Sequence, residues 1–243
     1  MTNSNRTDDR GGSSDTDVKD LVRRHWNGRA ATFDDASHHG IHDAEQRERW
    51  LSVLREWTGA GSDAAGDPRD RRARVLDVGC GTGVISLLLS ELGHDVTGVD
   101  FAPEMLERAR AKASAADRSI AFCRGDAETL PLPDDAFELV TARHLVWTLP
   151  NPEAALAEWR RVLEPGGRVA LLEGYWDHDE PWDEYEAVHG DLPLYDGRPV
   201  DELRGELERA GYRDLEHEPL SDPVLWGREP RHEYYVLAGT VPE

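Results

Sequence analysis

The stretch that most limits how this chain can fold runs from Arg74 to Gly93. Residues 74–78 (Arg-Val-Leu-Asp-Val) form a short, mostly apolar run with β-branched side chains, and it stops at Gly79-Cys80-Gly81-Thr82-Gly83. An apolar run over 84–92 follows and ends at Gly93. A buried strand, a glycine-rich turn and a helix in that order make half of a strand–helix–strand crossover. The theme continues downstream. Strand-like runs lie at 95–99, 119–124, 137–142, 168–173, 212–219 and 234–239, with helix-like runs at 103–115, 152–163 and 201–210. Alternation of this kind predicts an α/β fold: a doubly wound, mostly parallel, seven-stranded sheet with right-handed crossovers.

In such sheets the loop after the first strand holds a nucleotide, and its composition says which kind. A dinucleotide fingerprint needs a glycine three residues after Gly81, but Val84 stands there and the third glycine comes early, at Gly83. Asp77 would repel a pyrophosphate. It suits a ligand with a cationic end. The second strand ends in Asp100, placed to accept two hydrogen bonds from a ribose diol, although a carboxylate there also serves as a cap for the next helix. Gly125-Asp126-Ala127 follows the third strand, where an acid receives an exocyclic amine. Three acids on neighbouring strand tips fit a positively charged ribonucleoside without phosphate.

These residues resemble the class I S-adenosylmethionine-dependent methyltransferases of the small-molecule type, strongly over about 73–174 and loosely over 200–243. Val75–Gly83 matches the family's first motif, Asp100 its ribose-binding acid and Asp126-Ala127 its adenine-contacting pair. Leu130-Pro-Leu-Pro133, residues 137–142 and Leu163-Glu-Pro-Gly-Gly167 match its later elements in order. The resemblance implies S-adenosylmethionine as cofactor, with S-adenosylhomocysteine as product. It implies Asp77, Gly79, Cys80 and Gly81 against the methionine portion, and Phe101 and Met105 flanking ribose and adenine. It also implies one antiparallel strand near the C-terminal edge of the sheet.

The acceptor side is less legible, because methyl transfer needs mainly positioning and desolvation and only sometimes a base. Its residues are expected in three segments. An N-terminal helical region, 18–60, is expected to cap the core and brings Trp26, Arg29, Phe33, His38 and His39. The loop after the fourth strand brings Arg143, His144 and Trp147. A lid-like insertion over about 175–200 brings Trp176, Trp182 and Tyr195. His144 and His39 are the candidate catalytic bases. Each also has an ordinary reading, as a hydrogen-bonding or helix-break histidine. Arg143 and Arg29 are candidates for a carboxylate, of the cofactor or of the substrate, with Arg143 assigned to the cofactor. Trp26, Arg29, Phe33, Trp147, Trp176 and Tyr195 are the candidate substrate contacts. The adjacent His38 and His39, with His42, cannot easily converge on one ion, so no metal is expected.

Composition narrows the setting. The formal net charge is −21, and only two of the 28 basic residues are lysines, Lys19 and Lys112. This acid-rich, lysine-poor balance is that of halophile proteins, whose carboxylates hold water in high salt; arginine use in a GC-rich mesophile is the alternative. Two cysteines make no disulfide framework, residues 1–17 are too polar to order by burial, and no apolar run has the length of a membrane helix. A cytoplasmic monomer or homodimer acting on a small molecule, without nucleic acid or membrane, is the expectation. The alternatives are an RNA or protein methyltransferase of the same fold, a non-catalytic S-adenosylmethionine-binding protein and, disfavoured by Val84 and Asp77, a nicotinamide-dependent oxidoreductase.

Overall fold

The computed structural model describes residues 15–58, 72–176, 185, 186 and 188–243. The expected disordered tail and Trp182 lie largely or wholly outside them. Seven strands form one sheet: β1 (Arg74–Val78), β2 (Asp95–Asp100), β3 (Ala121–Arg124), β4 (Phe137–Arg143), β5 (Leu163–Tyr175), β6 (Arg213–Pro219) and β7 (Glu233–Thr240). Their order is β3-β2-β1-β4-β5-β7-β6. The first five are mutually parallel, and β7 runs antiparallel between β5 and β6. The order reverses between β1 and β2 on one side and β4 on the other, which opens the crevice at their carboxyl ends.

Among the described residues the α-helices are α1 (Asp15–Arg29), α2 (Ala44–Thr58), α3 (Val84–Glu91), α4 (Pro103–Ala115), α5 (Pro152–Val162), α6 (Val200–Arg209) and the single turn α7 (Pro223–Trp226). Side chains alternate along the strands, so each face of the sheet builds its own core. On one face Leu76, Val140, Leu171 and Leu237 pack with Trp159 of α5 and Leu203 and Leu207 of α6. On the other, Val75, Leu139, Leu172 and Val236 pack with Trp50 and Leu54 of α2, Leu89 of α3 and Trp226 of α7. Trp50, Trp159 and Trp226 are fully buried, each contributing on the order of 2–3 kcal/mol through area removed from water.

Two expectations shift. The region 18–60 is not a uniform cap: α2 is part of the sheet's helical layer, because Trp50, Leu51, Val53, Leu54 and Trp57 bury against it. Only α1 and the loop to Ala44 overhang the strand tips. The fifth strand starts at Leu163 rather than Arg168, since Leu163 pairs with Phe137, and the register slips before Arg168 meets Leu139. Pro165-Gly166-Gly167 is accommodated inside that strand as an irregularity. The described part of the 175–200 insertion folds back, with Tyr185, Val188, Leu192 and Tyr195 packing on Val18, Val22 and Trp147. Among the described residues no helix is long and apolar enough to cross a membrane.

Candidate active site

A cavity of about 260 Å³ opens at the carboxyl ends of β1, β2, β3 and β4, under the overhang of α1. One half is built from the glycine loop and its acids. Gly81 has φ +53°, and a Cβ built there meets only Phe33, at 3.8 Å, so bare backbone faces the cavity. Gly83 has a different task. At φ +81° it starts α3, and a Cβ would sit 2.9 Å from that of Ala109, so its lack of a side chain lets α4 approach.

The acids are tightly held. Asp77 accepts from Ser86 Oγ at 2.5 Å and Thr141 Oγ1 at 3.3 Å. Burial pushes its carboxyl up to about 6, against those bonds and the Arg143 charge. Asp100 accepts the backbone N–H of Gly81 at 2.9 Å and of Ala102 at 2.8 Å, and burial likewise pushes it up to about 6. It therefore braces both the glycine loop and the turn that leads into α4, with lone pairs left over. Asp126 accepts from Glu128 N, and Lys19 of α1 reaches across to Asp126 at 2.8 Å and Glu128 at 2.6 Å. Lys112 pairs with Asp34, which also accepts from Thr82 Oγ1 at 2.6 Å. Burial, with Asp100 and Asp77 nearby, drives the Cys80 thiol well above its ordinary range, so it stays protonated and is no nucleophile.

The other half is aromatic. Six rings form a closed circuit around the cavity wall: Trp26–Phe33 at 5.8 Å, Phe33–His39 at 4.1 Å and His39–His144 at 6.2 Å, then His144–Trp176 at 5.5 Å, Trp176–Trp147 at 5.8 Å and Trp147–Trp26 at 6.1 Å between centroids. His144 follows β4 with φ +52°, a left-handed conformation uncommon outside glycine, although histidine, like asparagine and aspartate, adopts it more readily than most side chains. Its backbone N–H is tied to Leu172 O at 3.0 Å, and its buried Nε2 has no hydrogen-bond partner among the described residues. Burial, reinforced by neighbouring cationic groups, holds His39 and His144 well below the usual histidine range and takes His38 down to about 4. All three imidazoles are neutral at pH 7.

Arg143 lies half-buried between the halves. It donates to the carbonyls of His38 and His39 and lies 4.8 Å over the Trp50 ring, so it pins the helix break to the β4 tip. Behind the loop, Glu173 accepts from Leu145 N at 2.8 Å and Val146 N at 3.1 Å, and burial pushes its carboxyl up to about 8.

Most of the expected residues line this cavity: Asp77, Gly79, Cys80, Gly81, Asp100, Phe101, Met105, Asp126, Ala127 and Arg143, with His39, His144, Trp26, Phe33, Trp147 and Trp176. Two do not. Arg29 is exposed at the end of α1, and Tyr195 is buried against Trp147 and Tyr185 behind the wall. The cavity also takes in Lys19, Glu128, His38, Arg228, His232 and Tyr234. Lysine scarcity marked Lys19, and the helix break marked His38; nothing local marked the others.

A methyltransferase-domain family model matches residues 76–171. A demethylmenaquinone methyltransferase of Thermus thermophilus is 46% identical over 102 residues, 41% of this chain and 46% of that protein. A malonyl-[acyl-carrier protein] O-methyltransferase of Serratia marcescens is 32% identical over 215 residues, covering 84% of this chain and 76% of its own. The chain belongs to the class I S-adenosylmethionine-dependent methyltransferases. The solved [4+2]-cyclase SpnF has the same fold, with TM-score 0.67 and 22% identity over 95% of this chain and 98% of SpnF. This methyltransferase chain spans about half the length of the first curated relatives it matches, 46% and 55% of two demethylmenaquinone enzymes.

Proposed function

We propose that the protein transfers a methyl group from S-adenosylmethionine to a small-molecule acceptor held in the cavity. The observation that carries this reading is that Asp77, Asp100, Asp126 and Glu128 meet the open backbone of Gly81 in the same enclosed space as the aromatic circuit. The donor set fits a cationic ribonucleoside: carboxylates for hydroxyls and amines, with the loop N–H groups of Cys80, Gly81 and Gly83 already taken by Val99 O, Asp100 and Cys80 O. Asp77, Gly79, Cys80 and Gly81 would hold the methionine end, Asp100, Phe101 and Met105 the ribose and ring, and Asp126 and Ala127 the adenine. Bound there, S-adenosylmethionine supplies an electrophilic methyl group. The chain's own work is to orient the acceptor, exclude water with α1 and the insertion, and receive a proton at His144, with His39 beside it. Arg143 positions the loop.

In the same reading, α1 and the 175–200 insertion act as cap and lid on the 73–243 core. The protein is cytoplasmic, a monomer or homodimer, and does not engage nucleic acid. Its acid-rich surface is an adaptation to high salt, so it is expected to fold fully only in molar salt; full stability in dilute buffer removes that part. Calorimetry tests the core reading: S-adenosylhomocysteine binds and NAD does not. Labelled methyl then passes into a desalted metabolite extract and not into RNA. No heat with S-adenosylhomocysteine on well-folded protein overturns it.

A further inference from the structure

The acceptor side carries an inference that rests on the methyl-transfer reading and sharpens it. We propose that the acceptor is a flat ring compound bearing an uncharged hydroxyl, a phenol or enol, which lies within the six-ring circuit and donates its O–H to Nε2 of His144. Three observations converge. The circuit is closed, every one of its rings lines the cavity, and flat apolar surface is what offset-stacked and edge-on rings recognise. The buried Nε2 of His144 lacks a partner among the described residues, and an unmet polar atom is costly unless a ligand completes it. His144 is held at φ +52°, and backbone strain of this sort persists where the surrounding structure fixes a functional side chain.

The charges around the circuit select among ligands. Aromatic cages also bind ammonium groups. Here the half-buried Arg143 guanidinium adjoins His144, Arg228 stands at the mouth, and the lining acids Asp77, Asp100, Asp126 and Glu128 all come from the tips of β1, β2 and β3. A second cation is repelled on this side. An anion would have to shed its water among rings, whereas a neutral hydroxyl meets a neutral imidazole, which has one accepting nitrogen. On transfer, the hydroxyl oxygen gains the methyl carbon and loses its proton to Nε2, while the electron pair of the broken carbon–sulfur bond stays on the donor's sulfur. The site's net charge is unchanged by that exchange.

The test is calorimetry on the full chain saturated with S-adenosylhomocysteine, using 2-naphthol, naphthalene, 2-naphthoate and 2-(aminomethyl)naphthalene as probes. The expected result is that 2-naphthol binds at least tenfold more tightly than each of the others. His144→Asn keeps a residue type that tolerates the left-handed backbone. It is expected to erase the hydroxyl preference while S-adenosylhomocysteine affinity stays within twofold. The proposal is overturned if 2-naphthol shows no preference over the amine, the carboxylate or the hydrocarbon, or if the preference survives in His144→Asn. Failure of S-adenosylhomocysteine itself to bind strikes the methyl-transfer reading instead.

Discussion

The two halves of the cavity suffer the same desolvation and answer it with opposite charge states. Burial lifts Asp77 and Asp100 to about 6 and drops His38 to about 4, with His39 and His144 also well below their ordinary values. Both shifts favour the neutral form. At pH 7 the acids are still ionised and the imidazoles are not. The strand tips therefore present negative charge to a cationic donor, and the circuit presents uncharged acceptors and ring faces. A single dry cavity thus handles two chemically unlike molecules, because at pH 7 both residue types sit above their own values, where a carboxyl is charged and an imidazole is not.

The sharpest way to break this contrast is Asp100→Ala. It removes the acceptor of the Gly81 and Ala102 N–H groups as well as the hydroxyl partner of a ribose. Charge-assisted bonds contribute about 1.5–3 kcal/mol, so S-adenosylhomocysteine affinity should fall about a hundredfold by calorimetry, while the ring-probe preference is retained. Unchanged affinity removes Asp100 from the donor site. A milder probe is pH. An acid whose value is raised from 3.8 to about 6 favours the empty fold at low pH, and that contribution is lost as pH rises to 6. The ammonium end of the ligand, placed against Asp77, whose value is likewise raised to about 6, reverses the preference. Affinity for S-adenosylhomocysteine should be flat above about pH 7 and drop about tenfold by pH 5, where each such carboxyl is mostly protonated. A pH-independent affinity shows that the rim acids do not meet the ligand's charge.

The acceptor side has its own titrating group. Glu173 is pushed from 4.5 to about 8, so its raised value costs stability progressively between those limits and the cost is complete above 8. Glu173→Gln copies the protonated form and keeps an oxygen for Leu145 N and Val146 N. In thermal denaturation it should lie close to the parent at pH 5 and melt clearly higher at pH 9, where the ionised carboxyl carries the full cost of its raised value. Equal melting at both values shows that the carboxyl is not held protonated.

Glu173 also marks the limit of what the sequence told. The strand order around β1, the glycine loop and the acids at strand tips were legible, since strand period and turn residues are local signals. The reversed β7 followed from the family resemblance and agrees with its pairing to β5. Which loop side chains turn inward was not legible. Arg29 and Tyr195 were expected at the site and do not line the cavity: the overhang is held by Lys19, Asp34 and the Arg143 contacts to His38 and His39, and Tyr195 packs behind the wall on Trp147, all contacts far apart in sequence. The left-handed backbone of His144 has no sequence mark either, since histidine does not announce it.

The smallest expected effect bears on the boundary between the two halves. Both lysines of the chain tie the N-terminal overhang to the core beside the cavity: Lys19 on α1 bridges Asp126 and Glu128, and Lys112 on α4 meets Asp34. Elsewhere the cation is arginine. A lysine ammonium is a compact, freely rotating charge that can leave one carboxylate for another without a planar fork to realign. That suits a contact which must open for the nucleoside to enter. The Lys19 side chain is 24% exposed and that of Asp126 38%, so solvent screens the pair, and partly exposed pairs contribute about 0.2–1 kcal/mol. Lys19→Met should therefore speed S-adenosylhomocysteine release only about two- to fivefold in stopped-flow tryptophan fluorescence, and parent and variant should converge as salt is raised. Lys19→Arg should keep the charge but slow both entry and release. Release from Lys19→Met at the parent's rate shows that α1 does not gate the donor half, and the contrast between the two halves then rests on their linings alone.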